Sequence, residues 1–188
     1  MKILLIDNHT KHVQDWKRLA KENNLDLVVV SCAEPEISQE IFDLIILSGG
    51  TGLPVTRSRD VLKKEIEIIK NSSKPILGVC LGFELIADTF GATLLYREKR
   101  VSGFSRIRVS KNDPMFAGLD EFSAKEAHKF YLETLPKGLE ELARSESGVE
   151  VFKHRTRLIY GFQFHPEIIS PENQGTQVFL NLLKRFWC

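Results

Sequence analysis

Apolar positions in the first half of the chain follow two alternating patterns. KILLID (2–7), LDLVVV (25–30), FDLIILSGG (42–50) and KPILGV (74–79) are short, nearly continuous apolar or β-branched runs. That is the pattern of strands buried on both faces of a parallel sheet. Between them, HVQDWKRLAKENN sets Val13, Trp16, Leu19 and Ala20 at helical spacing. RDVLKKEIEIIKNSS sets Val61, Leu62, Ile66 and Ile69 on one helical face with charges opposite. LGFELIADTF reads as a further helix. Strand and helix alternate over modest connections, which predicts an α/β fold with a mostly parallel central sheet flanked by helices on both faces.

The second half changes pattern. ATLLY, RIRVS, FSAKEAH, LEELARSES, VEVFKH and RLIYGFQF read as short strands separated by turns, some of them antiparallel, and TQVFLNLLKRF reads as a closing helix. There is no internal repeat, low-complexity tract or linker. The expectation is one domain over residues 1–188 with a small added antiparallel meander.

Composition narrows the classes. The chain has 188 residues, 43% hydrophobic and 27% charged, with a formal net charge of +1. That balance lacks the electrostatic footprint of a nucleic-acid binder, and the run Arg97–Arg100 (REKR) reads as a solvated loop or strand end. Three cysteines (Cys32, Cys80, Cys188) match no zinc spacing and no disulfide framework, which points to a reducing, cytoplasmic setting. No apolar run is long enough to span a bilayer.

Candidate chemistry gathers at strand ends, where open α/β sheets carry their sites. In Gly78-Val79-Cys80-Leu81-Gly82, a strand passes at once into a helix. This spacing suits a nucleophile on a strained turn, with small neighbours so that strand and helix pass closely. The helix N-terminus favours a thiolate at Cys80, and the Leu81 amide faces an oxyanion position. A structural core cysteine fits the same five residues. LSGGTG (47–52) offers glycine amides at a second strand end. In GFQFHPE (161–167), Pro166 forces the chain out of a strand just after His165, and Glu167 follows. A base and its orienting carboxylate can stand two residues apart in this way, as can a surface His and an exposed Glu.

Taken together and in this order, LSGG, GVCLGFELIA and YGFQFHPE resemble the class I glutamine amidotransferases over nearly the whole chain. The resemblance implies a flavodoxin-like amidotransferase fold. It implies that Cys80 attacks the side-chain amide of glutamine, His165 moves the proton and Glu167 orients the imidazole. It further implies that the amides of Gly50 and Leu81 form the oxyanion hole. No metal or organic cofactor is implied for this half-reaction, and glutamine is the implied substrate. The opening LLIDNHTKHVQDW, the stretch FGATLLYREKRVSGFSRIRV and ARSES resemble the glutaminase subunit of GMP synthetase, which implies a separate ATP-dependent synthetase chain as partner. Where those glutaminases read Ser-His-Gly-Asp, this chain reads Ala127-His128-Lys129-Phe130. The aromatic there is similar to the small subunit of carbamoyl-phosphate synthetase.

By family position, His128, Phe130, Ser102, Gly103 and Phe104 contact the substrate. A glutamine usually stands where this chain has Glu84. An ionised carboxylate only accepts hydrogen bonds and would repel a thiolate unless neutral or paired. It could also hold the substrate's α-ammonium, or simply be a favourable acidic residue in a first helical turn. CLGFE further resembles the γ-glutamyl hydrolases, so a peptidase acting on γ-glutamyl conjugates is the second reading. A non-catalytic, glutamine-binding regulatory chain is the third. His9, His12 and His154 read as surface residues, Cys32 and Cys188 as incidental, and Trp16 and Trp187 as packing residues.

Overall fold

The computed structural model describes residues 1–33 and 39–186, which leaves Trp187 and Cys188 outside the described residues. In chain order the elements are β1 (Lys2–Asn8), α1 (Val13–Glu22), β2 (Asp26–Ser31), β3 (Leu44–Gly50), α2 (Lys63–Asn71), β4 (Ile76–Val79) and α3 (Leu81–Thr89). There follow β5 (Leu95–Val109), β6 (Glu121–Tyr131), β7 (Leu139–Ser145), β8 (Gly148–His154), β9 (Ile159–Phe162) and α4 (Gly175–Lys184). They build one nine-stranded sheet in the order β2-β1-β3-β4-β9-β8-β7-β5-β6. The pairings from β2 to β9 are parallel and those from β9 to β6 antiparallel.

Helices cover both faces of the parallel half, as the alternating runs predict. On one face α1 and α4 bury Trp16, Leu19, Val178 and Phe179, with Trp16 edge-on to Phe179 at 5.6 Å. On the other, α2 and α3 bury Ile66, Ile69, Phe83 and Leu85. Among the described residues no helix is long and apolar enough to cross a membrane.

Two sequence expectations change. Val61 lies before α2 and is 52% exposed, so it is not part of the helix's buried face. ATLLY and RIRVS do not form two strands: residues 95–109 are one long strand that includes REKR and Ser102–Phe104. Its exposed face mixes charged residues with Tyr96 and Phe104, and its inner face is only half-buried except at Ile107, so no apolar alternation marks its middle. A register shift between Tyr96 and Val101 accommodates the charged run.

The antiparallel wing curls. β5 meets β7 only at Arg108–Arg144 and Val109–Ala143. The β5–β6 ribbon then swings round until the free edge of β6 reaches the segment after β9. There the His165 amide donates to the Lys125 carbonyl at 2.8 Å and the Gln174 amide to the Ser123 carbonyl at 2.9 Å. Side chains complete the seam: the Asn173 Oδ1 accepts from the Lys125 amide at 3.2 Å, and the Gln174 Oε1 from the Ser123 amide at 2.9 Å. An edge that would otherwise present unpaired amides is closed in this way.

The turn from β4 into α3 is a very close backbone approach. A Cβ on Gly78 would lie 2.3 Å from the Gly82 carbonyl oxygen, and one on Gly82 would lie 2.2 Å from the Leu47 carbonyl oxygen. Neither distance is compatible with any side chain, so only glycine allows α3 to start against the ends of β3 and β4. Gly82→Ala should lower the thermal midpoint strongly or abolish soluble protein, with a loss of about 3 kcal/mol or more. Gly138→Ala is the control, because its added Cβ would meet nothing closer than 3.8 Å. Thermal unfolding of both variants checks this, and equal midpoints would contradict it.

Glu65 and Glu84 are buried, and among the described residues no cation pairs with either. Glu65, on α2, has both carboxylate oxygens unpartnered in the hydrogen-bond geometry, and so does the Oδ1 of Asn8, the polar group that acts on it. A proton on Glu65 answers both deficits, since a neutral carboxyl can donate to Asn8. Burial pushes the Glu65 carboxyl up to about 8, against a small opposing effect from Asn8. Burial likewise pushes Glu84 up to about 8. An acid whose folded value is raised binds more protons folded than unfolded, so its contribution to stability falls as pH rises from about 4.5 to 8. Each group should therefore remove roughly 3 kcal/mol between pH 5 and pH 8. Chemical denaturation across that range should show stability declining, and Glu65→Gln should flatten the decline and be the more stable protein at pH 8. A flat profile for the unaltered chain would refute this assignment.

Candidate active site

Cys80 occupies the turn itself. Its backbone sits at φ 51 and ψ −103, in a positive-φ region that non-glycine residues avoid. Two hydrogen bonds hold the strained residue: its amide donates to the Phe162 carbonyl at 2.8 Å, and its carbonyl accepts the first helical bond from the Glu84 amide at 3.0 Å. The first ties the turn to the end of β9, and the second starts α3. A core cysteine would need neither the strain nor the two glycine contacts.

His165 comes in from the end of β9. A Cβ placed on Gly49 would lie 3.1 Å from the His165 Cε1 and 3.4 Å from the Cys80 Cβ. The imidazole and the thiol therefore share the hollow above that glycine. The His165 Nδ1 is 2.8 Å from the Glu167 Oε1. This leaves Nε2, which has no hydrogen bond of full geometry, on the Cys80 side of the ring. His165 is 4% exposed and Glu167 fully buried. Burial opposes a charge on the ring, but Glu167 and Cys80 together outweigh it and raise His165 well above the usual imidazole range.

A second layer fixes these groups. The buried Asn173 carboxamide donates to the carbonyls of His165 at 2.9 Å and Ile168 at 2.7 Å, and the Thr176 hydroxyl to that of Pro166 at 2.7 Å. The ring of His12 lies 5.3 Å from that of His165, tilted by 54°, and its Nδ1 is 2.8 Å from the Asp15 Oδ2. His12 is thus half-buried beside the site rather than a surface residue. His154 is also half-buried, against Phe90 at 4.8 Å, whereas His9 is exposed. No motif in the sequence marks Asn173 or His12, since their roles depend on contacts made only after folding.

The two candidate oxyanion residues are neighbours: a Cβ on Gly50 would lie 3.1 Å from the Leu81 Cδ1. Leu81 opens α3, and amides in a first helical turn have no partner within the helix. Glu84, one turn on, is 5% exposed. Its Oε1 accepts from the Gln163 Nε2 at 3.5 Å, and the Gln163 Oε1 has no partner. Neutral at pH 7, Glu84 is a carboxylic acid that can donate as well as accept, like the carboxamide it replaces.

The remaining pocket candidates lie on the curled ribbon. Ser102, Gly103 and Phe104 pair with Ala127, Glu126 and Lys125. Because Lys125 receives the His165 amide, this stretch is one strand from the Cys80–His165–Glu167 group. Phe104 is 40% exposed, with the Lys125 ammonium 5.1 Å above its ring. The hydrogen bonds of His128 run elsewhere, to the Phe130 carbonyl at 2.7 Å and the Glu126 Oε2 at 3.3 Å. Phe130 packs edge-on against Tyr96 at 5.3 Å.

Known proteins resemble this chain in sequence and fold. The family model for glutamine amidotransferase class-I matches residues 4–185. The glutamine-hydrolyzing subunit of GMP synthase from Methanocaldococcus jannaschii is 34% identical, with 97% of this chain and 96% of that protein covered. The protein of the same description from Methanosphaera stadtmanae is 32% identical over 98% and 97%. A crystal structure from Thermoplasma acidophilum, assigned to the same GMP synthase subunit, superposes with a TM-score of 0.87 at 29% identity, covering 100% of this chain and 94% of that one. A glutamine amidotransferase from Thermotoga maritima, 20% identical with a TM-score of 0.76, shares the fold over 98% of this chain and 83% of its own. With a family match over almost its whole length and relatives above 30% identity, the chain belongs to the class I glutamine amidotransferases.

Proposed function

We propose that the chain hydrolyses glutamine to glutamate and ammonia through a thioester on Cys80. The ammonia passes to a separate ATP-dependent synthetase chain that makes GMP. One observation carries the reading: a cysteine held at positive φ on a strand-to-helix turn shares a hollow with a histidine whose other nitrogen is bonded to a buried glutamate.

In this reading His165 takes the Cys80 proton and the sulfur adds to the side-chain carbonyl carbon of glutamine. The Gly50 and Leu81 amides stabilise the oxyanion. His165 then gives its proton to the amide nitrogen as the carbon–nitrogen bond breaks, and ammonia leaves. Water, deprotonated by His165, cleaves the thioester to glutamate. Glu167 holds the ring in one tautomer and compensates its charge in both steps. The GMP assignment draws on the relatives named as the glutamine-hydrolyzing subunit of GMP synthase, whose length this chain matches.

The second reading, a peptidase acting on γ-glutamyl conjugates, rests on the likeness of CLGFE to the γ-glutamyl hydrolases, and substrate choice separates the two.

Incubation with glutamine and acid quenching should trap a glutamyl adduct visible by intact mass. Cys80→Ala should lose both adduct and ammonia release, by at least ~1,000-fold in kcat. Added synthetase chain should raise turnover. Turnover of γ-glutamyl dipeptides alone would move the protein to the hydrolase branch. Glutamine binding without turnover, even with the synthetase present, would make it a regulatory subunit.

The state of Glu84 sets a pH prediction. Its neutral form is present below about 8 and lost above it. Glutaminase kcat/KM should therefore fall as pH rises through about 8, and Glu84→Gln should keep or raise activity at pH 7 while moving that alkaline limb upward. A limb unchanged in the variant would assign it to another group, and a large loss at pH 7 would show that the carboxyl itself is used.

A further inference from the structure

Away from the hollow above Gly49, three side chains of the curled wing meet in the interior. Glu126 and His128 come from β6 and Glu150 from β8. Glu126 and Glu150 are fully buried and His128 is 4% exposed. One ligating atom from each lies within 4.8 Å of the others.

The hydrogen bonds show what the cluster lacks. A carbonyl oxygen only accepts, so the 2.7 Å contact with Phe130 puts a proton on the His128 Nδ1. In the neutral ring, Nε2 then turns its lone pair toward the Glu126 Oε2, 3.3 Å away. Two lone pairs do not attract without a positive centre between or beside them. The Glu126 Oε1 and the Glu150 Oε2 have no donor, in full burial, and the two carboxyls lie within hydrogen-bond reach of each other. The Ser145 hydroxyl donates to the other Glu150 oxygen at 2.7 Å. Arg97 is the nearby cation. Its guanidinium is spread over the Tyr131 ring at 4.2 Å and donates to the Ser147 carbonyl at 3.1 Å. One guanidinium faces two carboxylates.

Protonating His128 would close the contact with Glu126 and leave both orphan oxygens unanswered. A proton shared between the carboxyls would leave the Nε2 lone pair facing oxygen, so protons answer the cluster only as a pair, one at each contact. A single divalent cation between the three answers the lone pair and both carboxylates with one centre. The 3.3 Å between the His128 Nε2 and the Glu126 Oε2 matches the ligand–ligand edge of about 3.3 Å in a tetrahedral site with bonds of about 2.05 Å, and Glu150 closes on the ion from within 4.8 Å. The Phe130 carbonyl behind Nδ1 and the Ser145 hydroxyl behind Glu150 are the outer partners that orient metal ligands. We propose that Glu126, His128 and Glu150 form a divalent-cation site of the zinc class, tying β6 to β8 across the curled wing.

The test uses the full chain carrying Cys80→Ala, so that the thiol beside His165 does not compete for the ion. After chelation and exchange into metal-free buffer, the protein is incubated overnight with ZnCl2, and bound zinc is measured after desalting. One zinc per chain and a thermal midpoint raised by several degrees are expected. Glu126→Gln and Glu150→Gln, which remove a buried charge and should fold, should each weaken binding by 10- to 100-fold or more. A second measurement leaves the cluster intact: Co2+ loaded in the same way should give visible ligand-field bands without thiolate charge transfer, and Mn2+ should broaden the His128 ring resonances. No retained zinc, unchanged binding in both variants, a thiolate band with Co2+, or unperturbed His128 resonances with Mn2+ would each overturn the proposal.

Discussion

Everything at the site depends on one steric fact: α3 begins against the ends of two strands with no room for a side chain on either side of Cys80. The Gly82 α-carbon lies where any Cβ would enter the Leu47 carbonyl, and Gly78 is pressed against Gly82 in the same way. That closeness leaves Cys80 no relaxed backbone conformation. Its amide is spent on Phe162 and its carbonyl on Glu84, so the strain is held by bonds on both sides. The thiol side chain is then the part of the turn that projects. A thiol placed by backbone strain does not drift, because no rotation relieves it without breaking a strand or a helix.

The second constraint is the curl of the antiparallel wing. β5 and β6 leave the sheet after two paired positions with β7 and return along the segment that carries His165. The strand that receives the His165 amide is thus also the strand that carries Glu126 and His128. The position of His165 and the order of the wing are set by the same hydrogen bonds. Asn173 strengthens this link, since one carboxamide bridges Lys125 on the ribbon with His165 and Ile168 in the loop. A change that loosens the ribbon therefore reaches the imidazole without touching it.

The parallel half is legible in the sequence because its strands are buried on both faces and read as unbroken apolar runs. The elbow is legible because a positive-φ turn with two backbone contacts demands glycine at fixed spacing, and the HPE segment because proline ends a strand where it stands. β5 reads as two strands, since a strand with one solvated face and only half-buried residues on the other has no apolar signature at Arg97–Phe104. His12 and Asn173 escape any pattern. Each acts through a contact between distant segments, and neither residue type is unusual for a helix start or a loop. Glu84 is visible as an anomaly, but its meaning requires its burial.

That burial carries a more general point about substitution at a recognition site. Glutamine and glutamate have nearly the same shape and differ in charge only while the acid is ionised. On an exposed first helical turn the carboxylate would be favoured by the helix N-terminus and would oppose a neighbouring thiolate. Here α3 is enclosed by the sheet and by its neighbours, with Leu81 to Ala87 all buried. Removing water costs the ionised form far more than the helix end returns, and the proton stays on. A neutral carboxyl offers one donor and one acceptor toward Gln163 and the pocket, which is close to what a carboxamide offers. The enclosing fold, rather than the residue type alone, decides which chemistry position 84 presents.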